Sequence, residues 1–354
     1  MRSAVSVGQH ARGAAFGLGA AALFGLSAPV SKLLLGEVTP VLLAGLLYLG
    51  AALGLWIQRL VVPKTLEAGL QRADVPKLLA VVIAGGVAGP VLMLFGLRSV
   101  SGLTGSLLLN LEAPFTMLLA FLVFREHVGR HGAIAATLIV LGACVLELEA
   151  GAFEADVLGV ALLAAACACW ALDNNLTQRL SLRDPFEIVR FKALAAGSAN
   201  TALGLWVAGG ALPPARYIVA ALVLGSLSYG VSIVLDAYAL RLIGAAREAA
   251  YFATAPFVGA LASLALLGES LGWSDVLAMA VMALGVAFLL RERHSHTHAH
   301  QVLDHDHLHT HDEHHRHPHA PGDPPGEPHS HVHHHAPLFH DHPHVPDAHH
   351  RHEH

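Results

Sequence analysis

The chain has 354 residues, of which 54% are hydrophobic and 13% charged, with 21 basic against 26 acidic side chains and a mean hydropathy of +0.55. A soluble globular protein carries roughly 25% charged residues. A soluble single-core enzyme and a disulfide-stapled secreted scaffold are therefore excluded, and the missing basic excess excludes a nucleic-acid binder. The polarity is also concentrated: residues 294–354 hold 24 of the 27 His, 9 of the 26 acids and 8 of the 18 Pro. What remains is the composition of an integral membrane protein.

A spanning helix needs about 20 mostly apolar residues. That length predicts ten of them, near 13–35, 40–60, 76–97, 102–124, 130–149, 157–179, 186–208, 216–240, 245–267 and 272–291. Residues 1–12 precede the first, which is span-length and lacks a cleavage site, so it reads as a helix and not a signal peptide. Connections are short and marked by Thr39-Pro40, Pro63, Asp184-Pro185, Pro213-Pro214 and Gly268. With the N-terminus in the cytoplasm, 18 Lys and Arg fall inside and 3 outside (Lys32, Arg98 and Arg216), and the outside loop with Glu147, Glu149, Glu154 and Asp156 has no base. Positive charge stays inside. Both termini are thus expected in the cytoplasm of a multi-pass protein of the plasma (inner) membrane.

The chain repeats itself. Gly102-Leu-Thr-Gly-Ser…Ala113-Pro114-Phe115…Glu126-x2-Gly129…Gly142 returns as Gly244…Ala255-Pro256-Phe257…Glu269-x2-Gly272…Gly285, and Leu23–Ser27 through Pro40 aligns loosely with Cys169–Asp173 through Pro185. Five helices per copy is an odd number, so the copies are expected upside down relative to each other. The charges agree: loop 125–130 carries two Arg where its counterpart 268–275 has Glu269 and Asp275. Inverted repeats characterise secondary transporters, with a midplane site between the halves.

Two tandem five-helix units, each ending in Ala-Pro…Glu-x2-Gly…Gly, resemble the EamA-type members of the drug/metabolite transporter superfamily over about residues 13–290. The resemblance implies transport as a class and leaves the substrate open, since members export amino acids, nucleosides, cofactors and drugs. It divides the chain into a first EamA-like unit at 13–149, a second at 156–291 and a tail at 292–354 that the family pattern does not require.

Ionisable side chains inside spans are costly and so are functional candidates. Glu112 lies mid-helix, two residues before Pro114, where it can exchange protons or contact substrate; its counterpart in the second half is Thr254. Pro114 and Pro256 are expected to kink their helices at equivalent places. Asp173 and Lys192 fall on consecutive antiparallel helices, each roughly 9 Å from the cytoplasmic edge, where they either pair structurally or bind. Asn174 and Asn175 add amides at the same depth. Ser228, Ser232 and Asp236 recur every four residues and form one polar stripe, read as lining a cavity. Glu126 and Glu269 sit at helix ends and read as structural. Gly85-Gly86 reads as close helix contact, since no Lys-Ser/Thr follows to make it a phosphate loop. His127 and His131 beside Glu126 read as a solvated loop. Cys144, Cys167 and Cys169 lie in apolar runs and read as small buried hydrophobes.

The tail carries His294, His296, His298, His300, then His305, His307, His309, His311, then His314, His315 and His333, His334, His335. Its proline and low hydrophobicity predict disorder, and its imidazoles suit Zn, Ni, Co or Cu. The first functional reading is an all-α, ten-span exporter of a small polar metabolite such as an amino acid, proton-coupled through a membrane carboxylate, needing no cofactor. The alternatives are a divalent-metal (Ni/Co/Zn) transporter and a membrane-anchored metal buffer or sensor using the tail. No nucleophile–base set or cofactor loop suggests an enzyme. The partners expected are the lipid bilayer, a small-molecule substrate and divalent metal ions, with no nucleic acid; the oligomeric state is left open.

Overall fold

The computed structural model describes residues 2–61, 69–123, 128–147, 153–180, 183–243, 249, 251–290, 294–300, 303–309, 329–335 and 338–344. Through residue 290 the described chain is helical. The first stretch is α1 (Arg2–Gly25) and α2 (Ser27–Leu34), followed by α3 (Pro40–Val61). Next come α4 (Val75–Val81) and α5 (Gly89–Ser99), joined by a π-helical turn at Val82–Ala88. Then α6 (Gly102–Leu108) and α7 (Glu112–Leu122) meet through a 3-10 turn, before α8 (Arg130–Glu147).

The second half runs α9 (Phe153–Gln178), α10 (Pro185–Val207), then α11 (Ala215–Gly225) and α12 (Ser232–Ile243) around a second π-helical turn at Ser226–Val231. It closes with α13 (Ala255–Leu267) and α14 (Trp273–Leu289). Among the described residues six stretches are long and apolar enough to cross a membrane: Ala11–Leu34, Pro40–Leu60, Arg72–Ser99, Gly102–Leu122, Val157–Gln178 and Ala215–Ala239. Arg130–Leu146, Ala255–Leu267 and Trp273–Leu289 are shorter apolar helices. The remaining long helix, α10, dilutes its apolar run with Glu187, Arg190 and Lys192.

The helices pack in a defined set of neighbours. α3 lies along α10, α8 along α14, α1 along α12, α5 along α9, and α6 along α13. The largest cluster of buried side chains includes Leu43, Leu47, Leu94, Leu107, Ile139, Leu163 and Met282. Where α3 crosses α11 the backbones touch. A Cβ on Gly50 would strike the carbonyl of Leu222, and one on Gly225 would strike the carbonyl of Leu47. Only glycine allows that separation, because each backbone occupies the space a side chain would need.

Helix ends are closed by side chains. Asp184 caps α10 by accepting from Phe186 N at 2.8 Å, the usual work of an Asp at that position. Glu269 reaches across from the end of α13 to accept from Gly102 N (2.6 Å) and Leu103 N (2.8 Å), so it caps α6. Arg183 pairs with Asp74 at 2.8 Å and ties the entry of α10 to the entry of α4.

Four segments of the tail are extended, whereas the sequence reading expects no regular structure there. His294–His300 pairs antiparallel with Leu338–His344, and Leu303–His309 with His329–His335. The reason is visible in the pattern His-x-His-x, which has the two-residue period of a strand.

Candidate functional site

The polar centre of the bundle is assembled on the π-helical turn Val82–Ala88. A π turn adds a residue to the helical circuit and displaces the regular backbone bonds, and such turns concentrate at functional sites. Here the Gly85 carbonyl accepts from two side chains, Tyr48 Oη at 2.8 Å and Trp170 Nε1 at 3.1 Å. The neighbouring Gly86 carbonyl accepts from Asn200 Nδ2 at 3.2 Å, and Asn200 is fully buried with its Oδ1 left without a partner among the described residues. Four helical stretches thus converge on two glycine carbonyls.

Directly against this turn lies an ion pair. Lys192 Nζ of α10 donates to Asp173 Oδ2 of α9, and Thr177 Oγ1 donates to Asp173 Oδ1 at 3.2 Å. The two side chains are 16% and 7% exposed, so water does little to screen them. Gly85 is what makes room: a Cβ there would collide with the Asp173 carboxylate, and one on Gly86 would press on Ala196 and Lys192.

A second polar contact sits one helix over. Asn174 Nδ2 donates to Glu112 Oε1 at 2.6 Å. Asn175, buried, donates to the carbonyls of Thr116 (3.1 Å) and Ala171 (2.8 Å), which fastens α9 to α7. Asp173, Asn174 and Asn175 are consecutive, so on a helix they point in three directions and serve Lys192, Glu112 and the backbone of α7 respectively.

An aromatic wall draws on both halves. Tyr48 stacks on Tyr229 with ring centroids 5.8 Å apart, and Tyr229 meets Phe24 edge-on at 5.7 Å. Tyr229 belongs to the other π-helical turn, Ser226–Val231. Tyr48 therefore touches both π turns, the first with its hydroxyl and the second with its ring.

The remaining sequence candidates fall elsewhere. Ser228 and Ser232 are buried and donate to the α1 carbonyls of Leu23 (2.7 Å) and Ala20 (3.0 Å); this part of the stripe fastens α12 and its π turn to α1. Asp236, one turn further on, has a buried Oδ1 with no partner among the described residues. Pro114 follows the 3-10 turn Leu109–Leu111, and the buried Cys167 thiol lies 3.6 Å from the Leu108 carbonyl and 3.9 Å from that of Leu109. Pro256 stands in the first turn of α13. Its missing N–H costs nothing there, and two turn residues separate α13 from the helical Tyr251 and Phe252.

His131 stacks on Phe288 at 6.2 Å; Glu126 and His127 lie outside the described residues. So do the side chains of the tail histidines. Among the described residues no group of three His, Cys, Asp or Glu gathers as for a metal ion.

Tyr48, Trp170, Asn200 and Tyr229 were not among the sequence candidates. Tyr48 and Trp170 are aromatic residues in apolar runs, indistinguishable from core until a π turn brings a carbonyl to them. Lys32 was counted only as a charge; it donates to the carbonyls of Leu97 (2.8 Å) and Val100 (2.5 Å) at the end of α5.

A bundle of membrane-length apolar helices, holding an ion pair and several hydrogen-bonded polar side chains at its centre, is the build of a multi-pass membrane transporter. Residues 11–148 and 157–291 each match the EamA-like transporter family, and the chain belongs to that family. It is 30% identical over 283 residues to an uncharacterized transporter of Methanothermobacter thermautotrophicus strain Delta H, covering 75% of this chain and 82% of that protein. A crystal structure 18% identical to the chain covers 78% of it and 96% of its own length with a TM-score of 0.59, a likeness of fold.

Proposed function

We propose that the protein is a secondary carrier that exports a small polar metabolite, an amino acid or a related compound, with proton coupling through Glu112. The observation that carries this reading is the Lys192–Asp173 pair, buried against Gly85 beside the Asn174–Glu112 contact. Charges at membrane depth are retained at a cost of about 3 kcal/mol each when unpaired. A zwitterionic solute can take the place of each partner for the other, because its ammonium suits Asp173 and its carboxylate suits Lys192.

Ten spans in two inverted units, both termini cytoplasmic, complete the proposal. The neighbours support the two-unit reading. α3 meets α10 and α8 meets α14, each the counterpart of its partner; α13 meets α6, which runs into its counterpart α7; and α1 meets α12 as α9 meets α5. Exchanging the halves leaves that set unchanged. The two π turns also fall in the corresponding third and eighth stretches. We assign the tail an accessory role in binding Zn, Ni, Co or Cu through its imidazoles.

The test is counterflow in proteoliposomes, with the full chain preloaded with unlabelled amino acids and their analogues in turn. Trans-stimulated uptake of one zwitterion, abolished by Asp173→Asn, is the expected result. Trans-stimulation by Ni or Zn and by no organic solute overturns it in favour of metal transport.

A further inference from the structure

On the outer surface of the bundle, α3 and α10 enclose an open groove of about 470 Å³ that neither the site nor the carrier reading uses. Its floor is apolar: Leu49 and Leu53 from α3, Leu194 from α10. Its upper walls are Trp56 and Phe191, 61% and 51% exposed. Its rim is charged, with Arg59 near the end of α3 and Glu187 and Arg190 in the first turns of α10.

The depth matches one leaflet of a bilayer. From Arg59 to Leu49 is ten residues of helix, about 15 Å at 1.5 Å per residue, and half of a ~30 Å hydrocarbon core is about the same. The charged rim lies at a helix end, where headgroups sit; the aliphatic floor lies where acyl chains sit; and Trp56 stands between them, at the level aromatic residues prefer.

Among the described residues the rim charges are only partly taken up by the protein. Arg59 has no hydrogen-bond or ion-pair partner among the described residues. Arg190 stands 3.8 Å from Asp184, whose other oxygen is occupied in capping α10. Glu187 accepts from Leu70 N at 2.9 Å through Oε2, and no other described residue donates to its second oxygen. Two guanidiniums and one carboxylate on one rim complement a phosphodiester together with an ammonium that can donate hydrogen bonds.

We propose that this groove is a binding site for one phosphatidylethanolamine molecule of the bilayer. Its phosphate lies between Arg59 and Arg190, its primary ammonium lies on Glu187, and one acyl chain lies along Leu53, Leu49 and Leu194. Phosphatidylglycerol lacks the ammonium, and the trimethylated ammonium of phosphatidylcholine has no N–H to donate.

The test uses bromine quenching of Trp56. Full-length protein is placed in phosphatidylcholine bilayers containing a minor fraction of brominated phosphatidylethanolamine, phosphatidylglycerol or phosphatidylcholine. The Trp56 emission is obtained by subtracting Trp56→Phe. Brominated phosphatidylethanolamine should quench more than either other lipid, with a preference on the order of threefold, the size an exposed ion pair supplies. Arg59→Gln, which has no internal contact to lose, should remove that preference, and Glu187→Gln should lower phosphatidylethanolamine to the phosphatidylglycerol level. Equal quenching by the three lipids, stronger quenching by phosphatidylglycerol, or a preference that survives Arg59→Gln each overturns the proposal. None of these readouts depends on what the carrier transports.

Discussion

At the scale of single residues, the centre of the molecule is governed by one electrostatic argument. Lys192 and Asp173 satisfy each other in a poorly screened place, so removing either leaves the other as an uncompensated buried charge costing about 3 kcal/mol or more. Asp173→Asn and Lys192→Gln should each lower the thermal midpoint of the purified protein markedly. The double variant should recover much of that loss while transport stays absent, and additive losses in melting would mean the pair contributes nothing as a pair. Glu112→Gln is the complementary case. The amide oxygen can still accept from Asn174, so folding should hold while proton-driven accumulation disappears and counterflow exchange survives. Accumulation that persists in that variant removes Glu112 from coupling.

The pairing of Asp173 with Lys192 was legible because depth along a helix is simple arithmetic and two opposite charges at one depth have few alternatives. Ser228 and Ser232 were legible as a face but not as a function. Period four says which residues share a side; it does not say whether water or α1 lies opposite, and here it is the carbonyls of Ala20 and Leu23.

At the scale of elements, the π turns matter most, and no periodicity in the sequence announces them. Hydrophobic spacing is nearly the same for α and π geometry over one turn, so Val82–Ala88 read as an ordinary glycine-rich helix contact. The two glycines that looked like packing are what brings the Asp173 carboxylate and three donors to one turn. Gly85→Ala tests this directly, since the new methyl must displace the Asp173 carboxylate. Transport should fall as far as in Asp173→Asn, about 100-fold for a 3 kcal/mol disturbance, whereas Gly36→Ala, which meets no close neighbour, should be silent. Wild-type rates in Gly85→Ala would mean the site has room to spare. The cap on α6 is a second element-level case: Glu269→Ala leaves two amides of a helix start without their acceptor, which should cost about 2 kcal/mol in a chemical melt.

At the scale of the whole molecule, composition alone was enough for a membrane protein, and the family pattern for a transporter. The length rule was less decisive, because α10 carries three charges and α13 is only 13 residues long, so neither reads as a span by length and apolarity alone. A reporter fused after Arg293 settles the orientation: activity confined to the cytoplasmic form is expected, and external activity would refute the even-span topology. Deleting residues 294–354 should leave insertion and metabolite counterflow intact while removing most Zn or Ni binding by the purified protein. Loss of flux on that deletion would make the tail part of the carrier.

Tyr48 is a single side chain held by both π turns, through its hydroxyl at Gly85 and its ring at Tyr229. A π turn stores one residue beyond what an α-helix needs, and returning that residue to α geometry rotates the remainder of the helix by about 100°. Such a rotation at Val82–Ala88 would withdraw the Gly85 carbonyl from Tyr48, and one at Ser226–Val231 would withdraw the Tyr229 ring. Either event releases the same tyrosine and so weakens its hold on the other turn. Tyr48 thus links the two turns through one rigid six-membered ring.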